Sequence, residues 1–300
     1  MQRYRIRHET RCSYASDVVH AHHLLHLVPR PLPFQQGVSF VLELTPAADG
    51  REDVVDVFGN VVTRLEFARA HRRLDVVSAL QVDVHARPPA FAELTDAWEV
   101  VRDGLSYGGS WPARERLEAC RFRHASPYVR VKRIYTDYAE ECFPARRPIL
   151  ACADALMVKL HREFEYAPGE TTIETPLHEV LRDRSGVCQD FAHVMIACLR
   201  SRGLAARYVS GYLRTRPRTR AAASGGALVG TGASHAWVSV YSPPLGWVDL
   251  DPTNNCRVGL DHIALAWGRD FGDVSPLRGV ILGGHGHQLQ VTVTVEALTQ

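Results

Sequence analysis

The spacing of the apolar residues changes along the chain, and this change limits the possible folds more than any other feature of the sequence. From Arg3 to about Ala86 the chain consists of alternating or short β-rich runs, namely YRIRHETRCSY, GVSFVLEL, DVVDVFGNVVTRLEF and LDVVSALQVDVHA. Such runs are typical of strands. From Pro148 the apolar residues recur every three or four positions, as in a helix, at Leu150, Ala153, Met157, Leu160 and Phe164. The chain therefore predicts a β-rich domain followed by a domain that begins with a helix.

The predicted organisation has two domains. A chain of 300 residues, of which 46% are hydrophobic, is long enough to bury a core in each. We predict an N-terminal β-sandwich-like domain over residues 1–90, a partly helical connector over 91–147, and a second domain with C-terminal strands over 148–300. Gly59 and Asn60 predict a tight hairpin turn in the first domain. Because a helix precedes sequential strands in the second domain, the expected fold class is α+β.

A second helix is predicted over residues 186–201, with Ser185 as its N-cap. Its apolar stripe consists of Val187, Phe191, Val194, Met195, Cys198 and Leu199 and ends before Gly203. Three strands are predicted next, over 205–213, 235–242 and 246–253. The turn sequence SPPLG predicts that the last two pair antiparallel. If the turn is centred near Pro244, opposing residues have numbers that sum to about 488.

The segment SGVCQDFAHV places Cys188 in the first turn of this helix, where amide N–H groups and the helix dipole favour negative charge. Helix position alone leaves open whether this thiol is a nucleophile or a packing residue. A nucleophilic cysteine needs a base, and the base needs a group that orients it. In the predicted register His235 and Asp251 are diagonal neighbours on paired strands, with roughly 7 to 8 Å between their backbones. Asp249 shares their face and ranks second as the orienting acid.

The segments GVCQDFAHVMIACLRSRGLAARYVSGYL and SHAWVSVYSPPLGWVDLDPTNN strongly resemble the bacterial transglutaminase-like superfamily, whose core has a papain-like Cys-His-Asp arrangement. Cys188, His235 and Asp251 match the nucleophile, the base and the orienting acid of that family, in the same order. YRIRHETRCSYASDVV, HLLHLVPR and DVFGNVV resemble the N-terminal region of one bacterial branch, and HIALAWGRDFGDVSPLRGV resembles its C-terminal signature. The resemblance implies a papain-like, transglutaminase-like catalytic core over 148–300.

The resemblance also implies acyl transfer on a peptide or protein amide, through a thioester at Cys188 and without a cofactor. Hydrolysis is expected rather than transamidation, because the chain has no calcium-loop pattern of the D-x-D-x-D-G kind. The alternatives are an amine-accepting transglutaminase and a non-catalytic peptide-binding module that retains the fold. Tyr166 in FEYAPGET matches an aromatic position upstream of the nucleophile and is assigned to the substrate cleft or oxyanion site. Trp237 shares the face of His235, which predicts either a cleft residue or a core aromatic.

Composition limits the partners and the compartment. The 35 basic and 33 acidic residues nearly cancel, so charge indicates neither a nucleic-acid partner nor a membrane partner. The sequence has no signal-peptide pattern and no apolar run near 18 residues, which favours a cytoplasmic location. Seven cysteines without a C-x-x-C pair argue against a disulfide framework or a zinc knuckle.

The remaining motifs favour structural interpretations. HAHHLLH contains His20, His22, His23 and His26, but no carboxylate or cysteine lies at ligand spacing, so no metal site is predicted there. HGH at residues 285–287 predicts a turn before a strand, and Asp190 and His193 are assigned to local structure rather than to catalysis. The loop RTRPRTR is predicted to be solvated, with steering of an acidic substrate as the alternative role of Arg214, Arg216, Arg218 and Arg220.

Overall fold

A computed structural model of the chain describes residues 1–106, 114–214 and 234–298. The strands in chain order are β1 (Gln2–Leu25), β2 (Gln35–Thr45), β3 (Gly50–Val55), β4 (Val61–Phe67), β5 (His71–Val84), β6 (Glu165–Tyr166), β7 (Ser185–Gly186), β8 (Ala206–Leu213), β9 (His235–Ser242), β10 (Gly246–Asp251), β11 (Cys256–Arg257), β12 (His262–Gly268), β13 (Leu277–Gly283) and β14 (Gln288–Leu298). The helices are α1 (Trp98–Gly104), α2 (Arg114–Cys120), α3 (Arg133–Ala139), α4 (Ile149–Glu163), α5 (Leu177–Asp183), α6 (Cys188–Ser201) and α7 (Phe271–Val274), with short 3-10 turns at Ala92–Leu94 and Glu140–Cys142.

The N-terminal sheet is built around β1, whose side chains alternate between buried and exposed as the period-two pattern predicts. The first half of β1 pairs with β5 and β14, and the second half pairs with β4 and β13. Apolar side chains from both halves meet in one core, among them Cys12 and Ala21. The predicted FGN hairpin is confirmed, because Val55 pairs with Val61 and Gly59 adopts a positive φ of 78°. The N-terminal region is therefore one β-sheet whose strands share a core, and its sandwich-like architecture stays a prediction.

The strands at the C-terminal end of the described chain belong to this first sheet. The sequence grouped them with residues 148–300, but β13 and β14 both pair antiparallel with β1. Val293, in the middle of the alternating valines, packs with Tyr4 and Ile6 of β1. Strand periodicity predicts which residues form a strand, but not which edge receives it. The boundaries near residues 90 and 147 stay predictions.

The second sheet has the strand order β11-β10-β9-β8-β12, with every neighbouring pair antiparallel. The predicted hairpin register is confirmed: the pairs from Gly246 and Ser242 to Leu250 and Val238 all sum to 488. The apolar residues of α6 pack in one core with residues of β8 and β9 such as Tyr208. A helix against an antiparallel sheet, beside a separate β-domain, is the predicted α+β arrangement.

The two sheets contact each other through a shared apolar cluster. Tyr4 and Ile6 of β1 pack with Tyr212 of β8 and Ile263 of β12. A buried hydrogen bond of 2.9 Å joins His8 Nδ1 to the Tyr212 hydroxyl across the same contact. The N-terminal region is therefore packed directly against the sheet that carries the candidate site. Among the described residues, no helix combines the length and apolar character needed to cross a bilayer.

Candidate active site

The three predicted triad residues lie at the ends of their elements. Cys188 is the first residue of α6, His235 is the first residue of β9, and Asp251 is the last residue of β10. The confirmed hairpin register places the start of β9 beside the end of β10. Residues that are distant in the sequence therefore meet where the helix and the two strands begin or end.

The start of α6 differs from the prediction that Ser185 is the N-cap. The N-cap position is held by Val187, and its backbone N–H donates to Asp190 Oδ2 at 2.9 Å. Thr171 Oγ1 also donates to Asp190 Oδ2, at 2.6 Å, so this buried carboxylate holds the loop before Cys188. Only glycine fits at position 186, because the Cβ of any other residue would lie 2.6 Å from Asp190 Oδ2. Asp190 therefore acts through local structure, in agreement with its sequence assignment.

Ser185 is unavailable as a cap because it belongs to a two-residue parallel pairing. Glu165 pairs with Ser185 and Tyr166 pairs with Gly186, which joins the segment after α4 to the segment before α6. This pairing brings the partly buried Tyr166 close to Cys188: burial raises the pKa of the Tyr166 phenol, and the charge of Cys188 raises it further. Tyr166 is thus near the candidate nucleophile, and its role in the cleft or oxyanion site stays a prediction.

His235 and Asp251 form a buried ion pair. His235 Nε2 lies 2.8 Å from Asp251 Oδ2, and neither side chain is exposed to solvent. Burial opposes protonation of His235, but the charge and the hydrogen bond of Asp251 outweigh it and raise the pKa of the imidazole, with a further contribution from Cys188. Burial likewise opposes ionisation of Asp251, but His235 and His262 hold the pKa of its carboxyl far below the usual range. The arrangement favours an imidazolium beside a carboxylate.

Cys188 lies beside His235 and contributes to its raised pKa. Because a carboxylate only accepts hydrogen bonds, Asp251 assigns an N–H to Nε2 and leaves Nδ1 to exchange a proton with another group. Nδ1 is buried without a formed hydrogen bond, whereas Cys188 influences the pKa of His235 by hydrogen bonding and by charge. The thiol therefore lies near His235 in an arrangement looser than a formed hydrogen bond. Such loose contacts are common in sites without substrate.

A second histidine also holds Asp251. His262 Nε2 lies 3.1 Å from Asp251 Oδ2, and Gly259 N donates to His262 Nδ1 at 3.4 Å. His262 therefore carries its proton on Nε2 and donates it to the carboxylate. Sequence reasoning gave His262 no role, although it lies in the quoted C-terminal signature. Only the pairing of β12 with β8 brings it to the site.

Asn254 and the turn after β10 complete the environment of Asp251. Asn254 Nδ2 donates to Asp251 Oδ2 at 2.7 Å. The backbone N–H groups of Thr253 and Asn254 donate to Oδ1 at 3.0 and 3.2 Å. Sequence reasoning missed Asn254 as well, although its position in DPTNN directly after Asp251 was the available signal. The carboxylate is held by five donors and can orient His235 without moving itself.

Trp237 packs behind the histidines. It is fully buried, with ring centroids 6.2 Å from His235 and 5.4 Å from His262. Gly211 makes room for it, because a Cβ at that position would lie 2.5 Å from Trp237 Cη2. A side chain with 0% exposure does not line an open cleft, so the core alternative describes Trp237. Its position supports the orientation of the imidazoles.

Asp249, which ranked second as the orienting acid, has a different partner. Arg87 Nη1 lies 2.8 Å from Asp249 Oδ2. Burial opposes ionisation of Asp249, but Arg87 and Arg207 outweigh it and lower the pKa of the carboxyl. Arg207 is itself buried between Trp247 and Trp267, with its guanidinium carbon 4.2 and 3.6 Å from their ring centroids. This cluster compensates buried charge and does not contact His235.

The other sequence motifs lie outside the triad. His193 is buried and accepts a hydrogen bond from Phe271 N at 3.1 Å, which fits its structural assignment. The HGH segment ends directly before β14 begins at Gln288, as predicted. Arg214 lies 3.6 Å from Asp261 in an ion pair. Arg216, Arg218 and Arg220 lie outside the described residues.

Two groups of side chains in the described chain could hold a metal ion. His235, Asp251 and His262 present donor atoms within 4.8 Å of one another, but all three are buried and both histidines are hydrogen-bonded to Asp251. His20, His22 and Glu66 form the other group, on the surface of the first sheet. The first group overlaps the candidate triad, and the second is separate from it.

Comparison with known proteins places both regions of the chain in one family. Residues 136–252 match the model of the transglutaminase-like superfamily, and residues 4–83 match that of the bacterial transglutaminase-like N-terminal region. An uncharacterized protein of Mycobacterium tuberculosis is 37% identical over 93% of this chain and 87% of its own length. An uncharacterized protein of Mycobacterium leprae is 30% identical over 99% of this chain and its full length.

Two further similar proteins have names that state an activity. A protein-glutamine gamma-glutamyltransferase of Pseudomonas aeruginosa is 34% identical over 41% of this chain and 20% of its own length. A crystal structure described as a "Putative Cysteine Protease" from Cytophaga hutchinsonii superposes with a TM-score of 0.73 at 19% identity, over 100% of this chain and 91% of that one. At this identity the structure supports the fold alone.

Proposed function

We propose, on the premise that the chain belongs to the transglutaminase-like superfamily with a bacterial transglutaminase-like N-terminal region, that it is a thiol-dependent acyl-transfer enzyme. Its substrate would be a peptide or carboxamide bond in a peptide or protein. The observation that carries the proposal is the His235–Asp251 pair at 2.8 Å, with Cys188 close enough to help raise the pKa of the same imidazole. This is the relation of nucleophile, base and orienting acid that acyl transfer requires.

In the proposed mechanism the proton of Cys188 Sγ resides on His235 Nδ1. The thiolate attacks the carbonyl carbon, a C–S bond forms, and the π electrons move to the carbonyl oxygen. The tetrahedral intermediate collapses, the C–N bond breaks, and the leaving amine takes the proton from Nδ1. Water or a second amine then attacks the thioester carbon and loses a proton to Nδ1. The second tetrahedral intermediate collapses, the C–S bond breaks, and Cys188 leaves as the thiolate. Asp251 stays ionised and stabilises the imidazolium at each protonated stage.

The oxyanion would be held by backbone and side-chain donors near Cys188. The N–H of Cys188 belongs to the first turn of α6, where amide groups have no acceptor within the helix. Tyr166 is the proposed second donor, because the pKa of its phenol responds to the charge of Cys188. Loss of one such donor typically reduces kcat by about 100-fold or more.

Hydrolysis is the proposed outcome and transamidation the alternative. The Pseudomonas relative named a glutamyltransferase favours transamidation, but its similarity covers only 41% of this chain. We expect that ammonia release from a glutamine-containing peptide proceeds at a similar rate with and without 10 mM cadaverine, roughly within twofold, because water resolves the thioester. Ammonia and labelled amine incorporation would be measured together, with Cys188→Ala as the blank. Amine incorporation that exceeds hydrolysis would reverse the assignment.

The proposed enzyme and a peptide-binding module without turnover differ in the expected reactivity of Cys188, and alkylation of the thiols can distinguish them. At pH 7 iodoacetamide should label Cys188 about 10- to 30-fold faster than Cys120, since an unassisted thiol is only a few per cent thiolate. Burial raises the pKa of most other thiols, namely Cys12, Cys142, Cys152, Cys198 and Cys256. Rates at each cysteine would be measured by mass spectrometry of peptides.

The pH dependence of this labelling follows from His235. Its pKa in the folded protein is raised above the ordinary value, so the imidazolium persists through neutral pH and is lost as pH rises towards the raised pKa. The advantage of Cys188 should therefore be large at pH 7 and should shrink by pH 10. His235→Gln should remove the advantage at pH 7, while His178→Gln, an exposed histidine on α5, should preserve it. Equal labelling of Cys188 and Cys120 in the unmodified protein would favour the binding module.

A reducing compartment such as the cytoplasm is part of the proposal. All seven cysteines are free thiols, and disulfides are typical of oxidising compartments. A catalytic thiol also needs to stay reduced to attack a carbonyl.

A further inference from the structure

On the exposed face of the N-terminal sheet, two histidines of β1 lie next to a glutamate that is distant from them in the sequence. His20 and His22 are two residues apart on β1, and β4 places Glu66 directly opposite His22. The sequence disfavoured a metal site because no carboxylate lies at ligand spacing beside these histidines. Strand pairing supplies that carboxylate. His23 and His26 of the same run are buried and do not join the cluster.

The donor atoms of the cluster are close enough for one ion. The two imidazole nitrogens, Nε2 of His20 and Nε2 of His22, are 2.9 Å apart. His20 Nε2 lies 3.8 Å from Glu66 Oε1, and the donor atoms of all three residues lie within 4.8 Å of one another. In a tetrahedral zinc site with bonds of about 2.0 to 2.1 Å, neighbouring ligand atoms are about 3.3 Å apart. The observed separations bracket that value, so small side-chain rotations would complete the geometry.

We propose that His20, His22 and Glu66 form a surface site for a divalent transition-metal ion, with zinc as the best fit. Two imidazoles and one carboxylate favour zinc, copper or nickel over magnesium and calcium, which prefer oxygen ligands alone. The side chains of His20 and Glu66 are 40% and 48% exposed, so a fourth position stays open to water. The three ligands lie on two strands that are hydrogen-bonded to each other. Their backbones are therefore already held in place, so metal binding costs little additional conformational entropy. The site is independent of the proposed acyl-transfer reaction.

The test uses the full chain without an affinity tag. Zinc chloride would be titrated by calorimetry at pH 7.5, and one equivalent should bind with a Kd of about 10 μM or tighter. His22→Gln should weaken this binding by at least about 30-fold and Glu66→Gln by at least about 10-fold, because each removes a direct ligand. His178→Gln provides the matched control, since it removes an exposed histidine from a helix away from the first sheet.

Zinc could instead bind at the candidate active site, and two measurements separate the sites. Cys188→Ala should retain the same equivalent of zinc. Cobalt bound in place of zinc should show visible d–d bands without thiolate charge-transfer absorption, because all three proposed ligands are nitrogen or oxygen donors. Loss of the equivalent in Cys188→Ala, an unchanged Kd in His22→Gln, or a Kd above 1 mM in the unmodified protein would each overturn the proposal.

Discussion

Cys188→Ala is expected to reduce kcat/KM for amide substrates by at least about 10⁴-fold, because removal of a nucleophile eliminates the covalent route. The substitution should leave the fold intact, since Cys188 lies at the start of α6 and is partly exposed. Product release from a peptide substrate would be followed by mass spectrometry, and the fold by circular dichroism. The size of this effect makes it the most direct test of the proposed reaction.

Cys120→Ala is the matched control for the nucleophile. Cys120 is also partly exposed, and its thiol donates to Leu105 O at 3.3 Å in the connector rather than in the site. Its removal should change kcat/KM by less than about twofold. If Cys188→Ala retains activity within tenfold of the unmodified protein, a thioester at Cys188 is excluded.

Asp251→Asn is expected to reduce kcat by about 10³- to 10⁴-fold, the effect of the equivalent change in a Ser-His-Asp triad. Asp251 Oδ2 accepts from three side chains, His235, His262 and Asn254, and a neutral amide cannot replace the carboxylate for all of them. If the amide NH₂ turns towards His235, Nε2 becomes an acceptor and the N–H moves to Nδ1. The neutral imidazole would then be in the wrong tautomer to accept the thiol proton.

The same variant should change the titration of His235. The charge and hydrogen bond of Asp251 raise the pKa of this imidazole against the effect of burial, so their loss should lower the pKa. The imidazolium would then be lost at a lower pH than in the unmodified protein. NMR of the histidine ring would measure the shift separately from kcat. A merely structural role for Asp251 would destabilise the protein without a selective change at His235.

Asp249→Asn provides the matched control for the acid. Asp249 lies on the same strand and is also buried, but its partner is Arg87. Its substitution should lower stability, because it leaves the buried charges of Arg87 and Arg207 less compensated. At a temperature where both variants are folded, kcat should stay within about tenfold for Asp249→Asn. Comparable losses in the two variants would contradict the assignment of Asp251.

The sequence predicted the elements of the site where neighbouring residues encode them. The period of α6, the alternation of β9 and β10, and the turn SPPLG are all local features. They predicted the register that the structure confirms, and hence the meeting of His235 with Asp251. The resemblance to the superfamily added Cys188 as their partner, and the family comparisons confirm that membership.

Local patterns failed where a distant segment competed for the same residue. Ser185 has the chemistry of an N-cap, but its pairing with Glu165 in β6 and β7 moves the start of α6 to Cys188. Asp190 then binds the free N–H of Val187 from within the helix. Both Ser185 and Asp190 suit a helix start, and only the parallel pairing decides between them.

The sequence alone determined the strand and helix periods, the hairpin register and the candidate triad, because each depends on residues close along the chain or on a recognisable motif. Only the tertiary structure decided that β13 and β14 return to the first sheet, that His262 reaches Asp251, and that Glu66 lies opposite His22. These contacts depend on the order of strands in a sheet. Strand order is set by the packing of whole faces, for which alternation along one strand carries no information.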